Sequence, residues 1–148
     1  MAWLWTRPLL SDRARSLLMW GLNAKFVAGV TAVIQNECGE VLLLEHAFRR
    51  RYPWALPGGW MKRRETPEAA ILREVKEETG LDVDVERLLT ARTFPSPRMD
   101  IVFVCRLLGG TVRGSAETPR WRWCADGTYP SDVDPYTVEL IRLAAVAA

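Results

Sequence analysis

The chain has 148 residues, enough for one domain with a full hydrophobic core and no need of disulfide or metal staples. Hydrophobic residues make up 49% and charged residues 26%, the balance of an ordinary folded protein. A formal charge of +2, from 20 Lys+Arg against 18 Asp+Glu, argues against wholesale binding to DNA, RNA or anionic lipid.

In chain order, the apolar start at residues 1–5 is too short for a signal-peptide core and is broken by Arg7-Pro8. Residues 9–22 carry an amphipathic pattern, with Ser11 or Asp12 as cap and Leu17, Leu18 and Trp20 apolar. Residues 17–34 include Asn23 and Lys25 and fall short of a spanning helix, so no membrane association and a cytoplasmic location are expected. Residues 26–35 and 41–45 read as strands around a turn at 36–39, a hairpin. A basic loop at 49–51 leads into a short extended piece, 54–59, that ends in a Gly-rich bend.

The next helix has the clearest punctuation: Thr66 as cap, Pro67 at the first position, Glu68 at the positive end of the dipole, and Gly80 to stop it after Thr79. Residues 83–85 and 90–94 are strand-like, 101–107 is a strand with Gly109-Gly110 as its turn, and 121–124 is another short strand. Asp134 and Pro135 open a last helix running through Leu140, Ile141 and Leu143. A hairpin among irregularly alternating strands and helices predicts an α/β fold with a mixed sheet covered by helices. The division expected is a helical extension over 1–25 and one domain over 26–148. Cys38, Cys105 and Cys124 form no CxxC pair and read as reduced thiols, and a lone His46, read as a structural or surface residue, argues against a Cys/His zinc site.

The helix at 67–79 carries the chemistry. On a wheel of about 100° per residue, Ile71, Leu72, Val75 and Thr79 share the arc expected to pack on the sheet. Glu74, Glu77 and Glu78 share another arc, largely opposite, with Ala70 in its middle leaving room for a ligand. At spacing i, i+3, i+4 the three carboxylates lie within mutual reach and repel one another, so a hard cation such as Mg²⁺ or Mn²⁺ is the expected partner. A solvated helix held by ion pairs, for example Arg73 with Glu77, is the alternative.

Read from Gly59 to Leu81, the chain runs GWMKRRETPEAAILREVKEETGL. This resembles the Nudix box of the MutT-like hydrolases without a departure: Gly, five residues, Glu, seven residues, then Arg-Glu-aliphatic-x-Glu-Glu-x-Gly-aliphatic. A chance match is on the order of one in ten million at average residue usage. The resemblance implies an α/β/α sandwich with an extra N-terminal helical segment, and a hydrolase that cuts a diphosphate bond in a nucleotide-like substrate. It implies that Glu74, Glu77 and Glu78, with the backbone at Gly59, hold Mg²⁺ or Mn²⁺. It also implies that Arg73 pairs with Glu65, and that Gly58, Gly59 and Gly80 shape the backbone around the site. Glu74, Glu78 and a loop acid, Glu117, six residues before Trp123, are the candidate catalytic residues.

For substrate, aromatic faces that could stack on a base include Trp60 and Phe94, and Arg51, Arg63 and Arg98 are cations that could meet phosphates. Pro97 lies sixteen residues past Leu81 (97 − 81), similar to members that hydrolyse ADP-ribose. The reading is therefore a nucleoside diphosphate linked to a second group, ADP-ribose-like first. Triphosphates of the oxidised-nucleotide-clearing type come next, then a non-catalytic nucleotide sensor and an RNA-binding protein. Trp3, Trp5 and Trp20 cover the sheet or form a homodimer contact.

Overall fold

The computed structural model describes residues 11–23 and 25–146, so the readings on residues 9 and 10, Trp3 and Trp5 lie outside the described residues. The elements in order are α1 (Asp12–Leu22), β1 (Val27–Gln35), β2 (Val41–Glu45), β3 (Trp54–Ala55), β4 (Gly58–Trp60), α2 (Pro67–Thr79), β5 (Asp82–Thr93), β6 (Arg98–Gly109), β7 (Arg120–Cys124) and α3 (Pro135–Val146).

Alternation along the central strands gives the sheet two apolar faces. Val30, Ala32 and Ile34 of β1, with Phe103 and Cys105 of β6, face Ala70, Ile71 and Val75 of α2. Val33, Val102 and Val104, on the opposite face, pack with Leu140, Ile141 and Ala144 of α3. The result is the helix–sheet–helix sandwich that the sequence predicts. The seven-stranded sheet has the order β3-β2-β1-β6-β5, with β4 on β1 and β7 on β2. It is mixed: β1 and β6 run parallel from Val27 opposite Arg98 to Gln35 opposite Arg106, while the other strand pairs are antiparallel. Along one edge β1 changes partner, meeting β4 at Gly29, Val30 and Thr31 and β2 at Gln35.

Three sequence expectations change. Residues 83–85 and 90–94 belong to one continuous strand, β5, whose register shifts near Val85 and Leu88 let it continue past a break in alternation. β6 begins at Arg98 because its parallel partner reaches that far, which places Asp100 inside a strand, almost fully buried. α1 forms with Ser11 as its N-cap but buries no residue; Trp20 is exposed, with the Lys25 ammonium over its ring, and does not cover the sheet. No helix among the described residues is long and apolar enough to cross a membrane.

Candidate functional site

α2 starts and stops as its sequence dictates. The Thr66 hydroxyl accepts from the Ala69 N–H, Pro67 opens the helix, and Gly80 closes it at φ 75° in the left-handed region. Its rotation about its axis differs from expectation. Ala70 is fully buried in the core and Leu72 is exposed, the reverse of the expected roles. The packed arc runs from Ala70 to Thr79, about 180° at ~100° per residue, and Glu74 and Glu78 lie within it. These two carboxylates therefore face the backbone of β4 instead of open solvent, and Glu77 points outward.

Glycine makes that approach feasible. A Cβ at Gly59 would stand 2.4 Å from the Glu74 carboxyl carbon, and one at Gly58 would stand 2.2 Å from the Val30 carbonyl oxygen. The Gly58 N–H donates to Glu78 at 2.9 Å. Burial, together with the charges of Glu74 and Glu117, raises the Glu78 pKa to about 7 against the pull of that hydrogen bond.

Arg73 ties the segment before α2 to the helix. Its guanidinium donates to Glu65 at 2.8 and 2.9 Å, to Glu74 at 2.6 Å, to Glu77 at 3.3 Å and to the Trp60 carbonyl at 3.1 Å. Glu65 also accepts from the Lys62 N–H at 2.9 Å. The Arg73 hydrogen bonds, with the Lys62 N–H second, lower the Glu65 pKa from 4.5 to about 2. A carboxylate with a depressed folded pKa contributes stability that is complete above its unfolded value and is lost as pH falls through the folded one. The stability difference between the parent chain and Glu65→Gln is therefore expected to be constant above about pH 5 and to shrink between pH 4.5 and 2. Urea titrations across that range measure it, and a difference that grew on acidification would contradict the pairing.

Glu117 reaches the same place from the far end of the chain. Its backbone carbonyl accepts from Ala47 at 2.8 Å, its N–H donates to the Ser115 hydroxyl, and the neighbouring Thr118 hydroxyl donates to the Glu78 carbonyl at 3.3 Å. Among the described residues the Glu117 carboxylate makes no hydrogen bond or ion pair.

These groups border one cavity of about 520 Å³. Of the residues singled out in the sequence, Gly58, Gly59, Trp60, Arg73, Glu74, Glu77, Glu78, Arg98 and Glu117 line it. Arg51, Arg63, Phe94 and Pro97 do not. Arg51 lies over the Tyr52 ring, Arg63 is exposed, Phe94 packs edge-on against Tyr136 at 5.3 Å, and the Pro97 carbonyl receives the Val27 N–H. Glu65 and Gly80 stay off the cavity, as supports of the segment before α2 and of the helix end.

Arg49, which the basic loop at 49–51 offers as a cation that could reach phosphates, lines the cavity as well, and so do three residues that the sequence reading did not place there: Thr31, His46 and Asp100. Burial first and the Arg49 charge second push the His46 imidazole down to about 4, so it is neutral near pH 7, and its Nε2 is buried without a partner. No local pattern marked His46. Asp100 had a signal, an acid just ahead of an apolar strand, which an earlier strand start would have exposed.

Among the described residues no group of three or more acidic, histidine or cysteine side chains is arranged so that it could hold a metal ion by itself. An open set of carboxylates fits a hard cation that keeps several waters and takes the rest of its oxygens from substrate phosphates. The side-chain-free backbone at Gly59, held against Glu74, fits the same purpose.

The model of the NUDIX domain matches residues 25–134. The chain is 36% identical to the human 8-oxo-dGDP phosphatase NUDT18 over 78% of this chain and 38% of that protein. It is 34% identical to an ADP-ribose pyrophosphatase of Methanocaldococcus jannaschii, over 68% of this chain and 63% of that one. The chain thus spans less than two thirds of either relative. Among solved structures, an ADP-ribose pyrophosphatase from Streptococcus suis 89-1591 superposes with a TM-score of 0.66 at 26% identity, covering 82% of this chain and 92% of that one.

Proposed function

The chain belongs to the NUDIX-domain family, and from that premise we propose that it hydrolyses the diphosphate bond of a nucleoside diphosphate linked to a second group, ADP-ribose-like, with Mg²⁺ or Mn²⁺. The observation that carries the reading is the meeting of Glu74, Glu78 and Glu117 at one cavity, beside a backbone bare of side chains and under three cations, Arg49, Lys62 and Arg98. Glu74, Glu77 and Glu78, with the Gly59 carbonyl, would hold the cation. When bound, it neutralises the diphosphate and polarises water.

The chain's own residues divide the remaining work. Arg73 holds Glu74 and the segment ahead of the helix in place. Glu117, free of ion pairs and carried on a pinned loop, accepts the proton of the attacking water. Glu74 is tied to Arg73 at 2.6 Å and is kept for holding the cation. The water oxygen bonds to one phosphorus, the P–O–P bridge breaks, and the leaving phosphate departs toward the cations on the cavity wall. Exposed Trp60 at the rim offers a face to the base.

A second reading, hydrolysis of an oxidised guanine nucleotide, is favoured by the likeness to the human 8-oxo-dGDP phosphatase. One screen separates the two: ADP-ribose, 8-oxo-dGDP and nucleoside triphosphates with Mg²⁺ in H₂¹⁸O. The expected products from ADP-ribose are AMP and ribose phosphate, with ¹⁸O on one of them. Binding without turnover of any substrate would instead point to a nucleotide sensor.

A further inference from the structure

The net charge of +2 is unevenly spread along the chain. Residues 1–25 hold Arg7, Arg13, Arg15 and Lys25 against Asp12 alone, a formal +3, and the other 16 Lys+Arg against 17 Asp+Glu leave the rest at −1. Three of the seven tryptophans, Trp3, Trp5 and Trp20, fall in the same stretch. A balanced total therefore conceals a basic, Trp-rich segment ahead of a near-neutral domain.

Within that segment α1 keeps its apolar residues in solvent. None of its residues is buried, and all but Ala14 and Arg15 are exposed. Leu17 is 69% exposed, Trp20 68% and Leu22 74%, with Leu18 and Met19 exposed as well. Phe26 and Val27, at the entrance to β1, are exposed too. Single apolar residues on a surface need no explanation, but a run of this length does.

The pattern on the helix is specific. At about 100° per residue, Leu17, Gly21, Ala14, Leu18 and Leu22 fill an arc of about 140° that holds no charge. Arg13 and Arg15 stand at its two borders, and Asp12 and Ser16 lie opposite. The Lys25 ammonium sits over the Trp20 ring at 4.1 Å, which sets a cation and an indole together beside the Arg13 border.

Charge and area choose among partners for this face. Aliphatic side chains offer a polynucleotide neither a stacking face nor a hydrogen bond. A second copy of α1 brings the same positive charge, and two 11-residue helices, each about 16 Å long, bury only a strip of a few hundred Å² per chain, short of the roughly 800 Å² per partner of a stable dimer. An anionic lipid surface meets both halves of the pattern, with acyl chains for the leucines and headgroups for the cations and the indole.

We propose that α1 docks the protein reversibly on an anionic membrane surface, lying in the interface plane with Leu17, Leu18 and Leu22 at the acyl boundary and Arg13 and Lys25 at headgroup level. Long basic side chains reach the headgroups while their stems stay on apolar ground. The lack of a spanning helix bears on crossing a membrane, not on lying along one. The docking is independent of the diphosphate site, since no residue of α1 lines the cavity.

Co-sedimentation of the full chain with vesicles tests it, using phosphatidylcholine alone and phosphatidylcholine with roughly 30% phosphatidylserine. Partition into the anionic vesicles is expected to be about 100-fold stronger at low salt, the scale of three net charges at the surface, and to be largely lost at about 0.5 M salt. Leu18→Gln with Leu22→Gln keeps the charge and a good helix former at both positions, and should lower that partition at least tenfold with an unchanged melting temperature. Arg13→Gln should lower it about fivefold. If the double variant aggregates, Arg13→Gln decides. No binding to anionic vesicles, equal binding to both kinds, or binding preserved in the folded variants overturns the proposal. A dimer in sedimentation velocity that the double variant abolishes, without vesicle binding, overturns it in favour of a second copy of the chain.

Discussion

Glu78→Gln is expected to lower turnover of the best nucleotide substrate by about a thousandfold, the scale set by losing several kcal/mol of transition-state charge stabilisation. The change is nearly isosteric, and the glutamine oxygen can still accept from the Gly58 N–H as Glu78 does at 2.9 Å. The fold should therefore survive. Above about pH 7, where Glu78 is ionised, removing its charge beside Glu74 and Glu117 also relieves repulsion in the chain without bound cation. Thermal melts without added metal should show a midpoint at or above that of the parent. Steady-state kinetics with Mg²⁺ measure the loss, and turnover within a few-fold of the parent would contradict the role of Glu78.

Arg73→Ala is expected to cost about a hundredfold in kcat/KM, the penalty typical of a displacement of about 1 Å among reacting groups. Arg73 need not touch substrate for this to hold. It fixes Glu65, Glu74, Glu77 and the Trp60 carbonyl with one guanidinium. Without it Glu74 loses its 2.6 Å partner and the segment at residues 60–65 loses its clasp on α2. Lysine has a single ammonium in place of the planar fork, so Arg73→Lys should recover little. A readout of both kcat and KM distinguishes positioning from substrate binding: the loss should fall mainly on kcat. Full activity in Arg73→Lys would contradict the positioning role.

Much of this architecture was legible in the sequence wherever local physics and the pattern agreed. The caps of α2, Thr66, Pro67 and Gly80, are short-range devices that work in the same way whatever the tertiary setting, and the structure uses all three. The pairing of Arg73 with Glu65 was implied by the resemblance to a family alone, and it is present. The rotation of α2 was not legible, because a helical wheel gives the angles between residues but not the direction of the sheet. Glu74 and Glu78 were expected on an arc largely opposite the packed face, and the structure instead sets them against the glycine backbone of β4. The walls contributed by β1, β6 and the loop after β2 were also hidden. Thr31, His46 and Asp100 come from distant parts of the chain and share no spacing, so only the sheet topology, with β1 beside β6, brings them together. Phe94 was chosen for its nearness to the box in sequence and Pro97 for its family-like distance past it, and both lie off the main cavity, because the turn into β6 directs them toward α3 and β1.

The most direct measurement is Mn²⁺ binding to the full chain, followed by electron paramagnetic resonance with a non-cleavable methylene-bridged ADP-ribose analogue present, in the parent and in Glu78→Gln. Saturable binding in the parent that weakens at least tenfold in the variant is the expected result. Equal binding in both, or none in the parent, would contradict the placement of a divalent cation among Glu74, Glu77 and Glu78.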